Sequence, residues 1–286
     1  MKKIFITGAT GNIGQQVIKH LSPTNEILVG VRNDTEQNNL LKPNSRINQV
    51  KFDFQNISTF KPSLQGIYTL FLLRPPQLAD INIFKPLIDI ARECNVKEVM
   101  FLSVQGAEKS KVIPHNKIER LILDSGLDYI FIRPSYFMQN LTTTLLKDLK
   151  EKHKIILPAG NAKFNWVDIV NIGEVCALLL DKFSDYKNSA YEVTGYENVN
   201  FQQVVSLINN QLDTSIIYKN TNPLSYFIQK KRAGEPTAKI LVMIMLHFLP
   251  RFSNEPRIST FYEKLTGKRP TGLEEFVVRE KNLLKA

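Results

Sequence analysis

Two cysteines among 286 residues, Cys94 and Cys176, are too few and too far apart for a disulfide framework, and they share no C-x-x-C spacing. A reduced, cytoplasmic protein is the expectation. Histidine is also scarce. His20, His115, His153 and His247 form no i,i+4 pair beside an acid, so no metal site is indicated. Long apolar runs are missing: the longest, Ile240–Leu246, falls well short of the ~20 residues a bilayer-crossing helix needs, and no membrane partner is expected. The opening run from Met1 is broken by Thr7 and Gly8, too early for the apolar region of a signal peptide. There is no internal repeat and no low-complexity linker. What is there, 43% hydrophobic and 22% charged residues, fits a globular protein and excludes disorder, collagen and coiled coil. The length suits one large or two fused domains.

The formal charge of +10 invites a nucleic-acid reading, but its distribution weakens it. Residues 1–218 carry a net +3 and residues 219–286 a net +7. No aromatic–basic interleaving and no helix-turn-helix spacing accompanies the excess, so nucleic acid is not expected as a partner. A solvated basic face accounts for it.

Hydrophobic rhythm gives the fold. Strands are predicted at Lys3–Thr7, Glu26–Val31, Gln49–Phe52, Ile67–Leu73, Glu98–Leu102 and Tyr129–Ile132, with helices at Asn12–Leu21, Ile81–Cys94 and His115–Ser125. Near-continuous apolar strands alternating with helices indicate a parallel sheet buried on both faces, an α/β Rossmann layer wound in both directions. After Pro134 the rhythm changes. A long helix is predicted over Gln139–Lys152, and strands over Lys154–Leu157, Trp166–Val170 and Ala190–Val193. Helices follow at Ile172–Lys182, Phe201–Leu212, Leu224–Arg232, Lys239–Leu249, Ile258–Thr266 and Leu273–Leu284. Residues 1–134 are therefore read as a nucleotide-binding domain, joined by elements from 154–195. Residues 135–286 are read as a mainly helical, discontinuous substrate lobe, with the ligand cleft between the two.

The sharpest motif is Thr7-Gly8-Ala9-Thr10-Gly11-Asn12-Ile13-Gly14, between a predicted strand and a predicted helix. Gly8 permits the tight turn, Gly11 lets backbone approach a pyrophosphate, and Gly14 lets the helix pack on the strand. Thr10, Asn12 and Ile13 would lend backbone contacts where the helix N-terminus favours phosphate charge. No Lys-Ser/Thr follows, so this is not a P-loop. At the end of the second strand Arg32 stands where an acid would bind the ribose of NAD. A guanidinium there would pair with a 2′-phosphate, so NADP(H) is preferred and NAD(H) is the alternative. The competing reading is an ordinary surface arginine. Asp34, two residues on, would restore NAD binding if turned inward. Asp53 and Phe54, after the third strand, would hold the adenine; alternatively Asp53 caps the following turn. Arg74, followed by Pro75, falls where the nicotinamide half should lie, and Ser103 follows the fifth strand among the cofactor contacts.

TGATGNIG at 7–14, VR at 31–32, DF at 53–54, LSVQGAEKSK at 102–111, RPSYFMQNL at 133–141 and WVDIVNIGEV at 166–175 resemble the NmrA-like family of atypical short-chain dehydrogenase/reductases. The likeness is to the branch containing type 2 NAD(P)H:quinone oxidoreductases and triphenylmethane reductases. It implies a Rossmann domain with a small C-terminal substrate lobe, and either a reductase or a redox sensor that binds dinucleotide without chemistry. The Tyr-x-x-x-Lys pair of typical short-chain dehydrogenases is absent: Lys111 and His115 occupy those positions. His115 is the candidate catalytic residue, orienting ribose or substrate or giving up a proton; alternatively it bonds backbone at its helix start. Tyr136, Phe137 and Trp166 are the candidate walls of a pocket for a small aromatic or quinone-like acceptor, or else domain core. The resulting expectation is hydride transfer from NADPH to such an acceptor, by a monomer or homodimer. The alternative is a catalytically silent sensor acting through a protein partner.

Overall fold

The structure, a computed structural model, describes residues 2–32, 47–78, 80–111 and 113–285. The chain divides into two units, Met1–Pro134 with Ile169–Val193, and Ser135–Asp168 with Thr194–Ala286.

The first unit contains β1 (Lys3–Ile6), α1 (Asn12–His20), β2 (Glu26–Val31), β3 (Ile47–Lys51), α2 (Phe60–Leu64), β4 (Thr69–Leu73), α3 (Phe84–Glu93), β5 (Glu98–Leu102), α4 (Pro114–Ser125) and β6 (Asp128–Pro134). Among the described residues, seven strands form one parallel sheet. Its order is Ser189–Val193, β6, β5, β4, β1, β2, β3. This is the doubly wound α/β Rossmann arrangement. The apolar runs of β1, β4 and β5 are buried almost throughout, as strands covered on both faces must be. Helix α1 packs on the Ile169–Asp181 helix, and α3 packs between α2 and α4. Phe5, Phe52, Phe60, Phe84, Phe101 and Phe131 belong to one aromatic-rich core cluster. The strand order reverses between β1 and β4, so their carboxyl ends form the switch point where open α/β sheets take ligands.

The second unit holds a three-stranded sheet of Asn198–Val199, Phe164–Val167 and Tyr136–Phe137, and a two-stranded pair of Ile217–Asn220 with Lys154–Leu157. Its core gathers Leu141, Leu149, Trp166, Phe201, Ile208 and Phe276.

Several predicted elements break differently. The helix expected over Gln139–Lys152 is confined to Leu146–Lys152, preceded by a 3-10 turn at Met138–Asn140. Thr142 and Thr143 donate their hydroxyls back to Gln139 O, a local bond that competes with a regular helix. The strand expected over Trp166–Val170 is Phe164–Val167, and its helix begins at Ile169 rather than Ile172. Asp168, fully buried and held by Arg279 and Gln139, stands at that change of direction. The Leu273–Leu284 helix is two pieces, Leu273–Arg279 and Lys281–Leu284, parted at Glu280. Asp34 lies outside the described residues.

Candidate functional site

The glycine loop sits at the switch point. Thr7 fastens it: its N–H donates to Phe71 O, its hydroxyl to Leu73 O at 3.2 Å, and Leu73 N–H donates to Thr7 Oγ1 at 2.8 Å. Gly8 then adopts φ +62°, the left-handed region that costs other residues ~1–2 kcal/mol. Gly14 is buried where a Cβ would collide with Gly8 O and stand 2.7 Å from Ala9 Cα. The loop and the first turn of α1 therefore close on each other without side chains between them. Gly11 is the N-cap and offers no side chain to the first-turn N–H groups of Asn12, Ile13 and Gly14. Gly8, Gly11 and Asn12 are exposed; Thr10 and Ile13 are half-buried. Gln15 Nε2 donates to Thr10 O at 2.8 Å, stiffening the turn. The result is an open backbone cradle at a helix N-terminus, the geometry that accepts an anionic pyrophosphate.

Beside it, Arg74 follows β4. Its Nη1 donates to Leu78 O at 2.7 Å and to Pro75 O and Pro76 O at 3.2 Å each, folding the proline loop around the guanidinium. Its Nε donates to His115 Nε2 at 3.4 Å. The imidazole lies 6.0 Å from the Phe101 ring. Burial, then the Arg74 charge, pushes the His115 pKa down to about 3, and burial lowers Arg74 as well. His115 is therefore neutral at neutral pH, with its proton on Nδ1. That atom is buried and has no hydrogen-bond partner among the described residues.

Ser103 is committed inward. Its hydroxyl donates to Glu119 Oε1 at 2.6 Å, and Arg133 closes on the same carboxylate through Nε at 3.0 Å and Nη2 at 2.7 Å. Arg133 also reaches Glu108 at 3.1 Å. The hydrogen bonds to Glu119 hold the Arg133 pKa above its ordinary value. This network joins the end of β5 to β6 and α4. Its buried acid and arginine carried no role in the sequence reading, although a glutamate on the apolar face of α4 was a visible signal.

The remaining predicted residues are divided between the two units. Arg32 is exposed directly after β2. Asp53 turns onto its own backbone, accepting from Gln55 N–H at 3.0 Å, which is the turn-capping alternative. Phe54 packs edge-on against Phe52 at 4.9 Å within the core. In the second unit, Tyr136 and Phe137 are half-buried on a two-residue strand. Trp166 is 0% exposed, donates Nε1–H to Val199 O at 3.1 Å, and packs edge-on to Tyr136 at 4.8 Å. The Tyr136 hydroxyl meets His247 Nε2 at 3.0 Å, while His247 Nδ1 bonds Met243 O at 2.7 Å. Among the described residues no cluster of three metal-binding side chains occurs, and no helix is long and apolar enough to cross a membrane.

Comparison with known proteins fits this geometry. The profile of the NmrA-like family matches residues 1–277. The chain is 28% identical over 279 residues to prestalk A differentiation protein A of Dictyostelium discoideum, covering 96% of this chain and 90% of that one. The triphenylmethane reductase of Citrobacter sp., solved with NADP(H), is similar with a TM-score of 0.84 at 20% identity, over 97% of this chain and 99% of that one. The NADPH-dependent quinone oxidoreductase of Escherichia coli, solved with NADPH, gives 0.83 at 22% identity, over 98% and 100%.

Proposed function

Because the chain belongs to the NmrA-like family, we propose that it is an NADP(H)-dependent reductase acting on a small quinone-like or other conjugated acceptor. The observation that carries the reading is the cradle itself: Gly8 held at positive φ, and Gly14 where a Cβ would fill the space against Gly8 O. The residues fit a dinucleotide because a bulkier side chain at Gly14 would close the turn that phosphate approaches. Similar proteins solved with NADP(H) support the choice of nucleotide.

In this reading Gly8, Thr10, Gly11, Asn12, Ile13 and Gly14 hold the pyrophosphate by backbone, and Arg32 pairs with the 2′-phosphate. The bound nucleotide supplies a hydride. Arg74 keeps its guanidinium beside the site and fixes the His115 tautomer by donating to Nε2. His115 then stands as a neutral ring against Arg74 and orients ribose or acceptor through that guanidinium, since its own Nδ1 is buried. An imidazole with a pKa near 3 is not a reservoir of protons at neutral pH, so the one proton that completes reduction after hydride transfer comes from solvent. Tyr136 and Phe137 are assigned to the acceptor side. Trp166, Asp53 and Phe54 act through the fold, as core and turn residues.

The test is direct. Full-length protein is mixed with NADPH and a panel of quinones while absorbance in the nicotinamide band is followed. Oxidation dependent on the quinone is expected. Tight NADPH binding without oxidation across the panel overturns the reading and favours the second one, a dinucleotide sensor. That alternative is favoured by two observations: at the start of α4 the Tyr-x-x-x-Lys positions hold Lys111 and His115, and that histidine is held neutral.

A further inference from the structure

The helix Thr237–Phe248 and the 3-10 turn Leu249–Phe252 that continues it carry apolar residues on nearly every side. A helix of that kind belongs in an interior. One side satisfies this: Ile240 and His247 are buried, and Met243 and Ile244 pack on the core of the second unit. The opposite side does not. Leu241, Val242, Met245, Leu246, Leu249 and Phe252 are 40–74% exposed. Their spacings of three and four residues put them on one stripe. The neighbouring helix Pro223–Arg232, which packs beside this one, exposes Leu224 and Ile228 one turn apart.

The geometry points to a second copy of this chain as the occupant of that stripe, in a two-fold pair whose axis passes near Met245. Three observations select this occupant. First, the run Leu241/Val242, Met245, Leu249, Phe252 alternates three- and four-residue steps, the spacing with which one helix packs into another. Second, several of the charges at its borders are answered within the chain, while Lys231 and Arg232 stand exposed at the end of the neighbouring helix. Lys239 pairs with Glu235 at 2.8 Å, Lys230 with Asp148 at 2.6 Å, and Glu255 with Lys163 at 2.7 Å, while the Arg251 guanidinium lies over the Phe248 ring. Between Lys239 and Arg251 there is no lysine or arginine, so the helix lacks the basic face of one that rests on anionic lipid. Third, six large apolar side chains this exposed make a patch on the order of a few hundred Å², the size that marks an interaction site. Two-fold symmetry brings the same patch from each copy and approaches the ~1,000 Å² of a specific interface. The inference stands independently of the reductase reading.

Sedimentation velocity of the full chain across micromolar concentrations tests it, with wild type, Met245→Glu and Met245→Lys run separately and as an equal mixture of the two variants. Met245 is exposed, and thermal unfolding checks that each variant keeps its fold. The expected result is a wild-type dimer, self-association weakened at least ~10-fold in each variant alone, and restored dimer in the mixture where opposite charges meet. A wild type that stays monomeric overturns the proposal, as does dimerisation indifferent to both variants. So does a monomer that floats with phosphatidylglycerol vesicles and loses that binding in Met245→Glu, which would assign the stripe to lipid.

Discussion

Arg74 Nε donates to His115 Nε2 across 3.4 Å, and the opposite ring nitrogen is left buried without a partner among the described residues. A donor aimed at one nitrogen settles which nitrogen keeps the proton. The pair thus sets one fixed cation beside one neutral imidazole at the start of α4. The guanidinium and the surrounding burial both oppose protonation of the ring.

That opposition has a pH signature. An imidazole in the unfolded chain titrates near 6.5, whereas His115 is held at about 3 and His247 at about 4. Below the unfolded value the unfolded chain takes up protons that the folded chain refuses. The stability contributed by the neutral rings is fully present above 6.5 and is lost as pH falls through that value toward the folded values. Thermal midpoints measured from about pH 8 to about pH 5 should fall with pH in wild type and fall less steeply in His115→Asn. An unchanged slope would show that His115 titrates normally.

Arg32 decides nucleotide choice if it holds the 2′-phosphate. A charge-assisted hydrogen bond contributes roughly 1.5–3 kcal/mol, about 10- to 100-fold in affinity. Arg32→Ala should weaken NADPH binding by that factor and leave NADH binding nearly unchanged, read by fluorescence titration of both nucleotides. Equal losses for the two would remove Arg32 from the site.

Gly14 is the least replaceable position of the loop. In Gly14→Ala the new methyl meets the carbonyl oxygen of Gly8 and the Cα of Ala9, both backbone, so only a shift of the turn relieves it. Overpacking of this kind costs about 1–3 kcal/mol. The expected outcome is a lowered thermal midpoint together with lost NADPH binding. Gly126→Ala serves as a comparison: Gly126 sits at positive φ but has nothing within 4 Å, so the variant should lose stability without losing nucleotide affinity.

The parts of this molecule that were legible in its sequence are those where one residue type is the only physical solution. Gly8 and Gly14 are needed by backbone sterics alone, and the central strands β1, β4 and β5 declare themselves by apolar runs that tolerate no polar face. Aromatics are different. Trp166 and Phe54 are apolar whether they wall a pocket or fill a core, and only their neighbours tell the two apart: Val199 O on the indole N–H, Phe52 against the Phe54 ring. The strands Tyr136–Phe137 and Asn198–Val199 are too short to show a two-residue period. The Glu119–Arg133 pair joins a helix to a strand that follows it, and nothing in linear spacing announces that the two side chains meet.

That pair makes the last prediction. Glu119 is almost fully buried and accepts from Ser103 and twice from Arg133, so its carboxylate has a partner on each side. Removing one member of a buried pair leaves the other charge poorly compensated, a loss of up to about 3–5 kcal/mol that Glu108, the second partner of Arg133, reduces, whereas replacing both by apolar residues of similar size is often close to neutral. Glu119→Ala should therefore be strongly destabilised in urea unfolding. The double variant Glu119→Leu/Arg133→Met should recover most of that loss despite removing more hydrogen bonds. Because Ser103 would lose its acceptor in both, the double variant also separates the network's two roles. Restored stability with weakened NADPH affinity would mean that Glu119 positions β5 and α4 for the cofactor. Restored stability with unchanged affinity would mean that it serves only to join them.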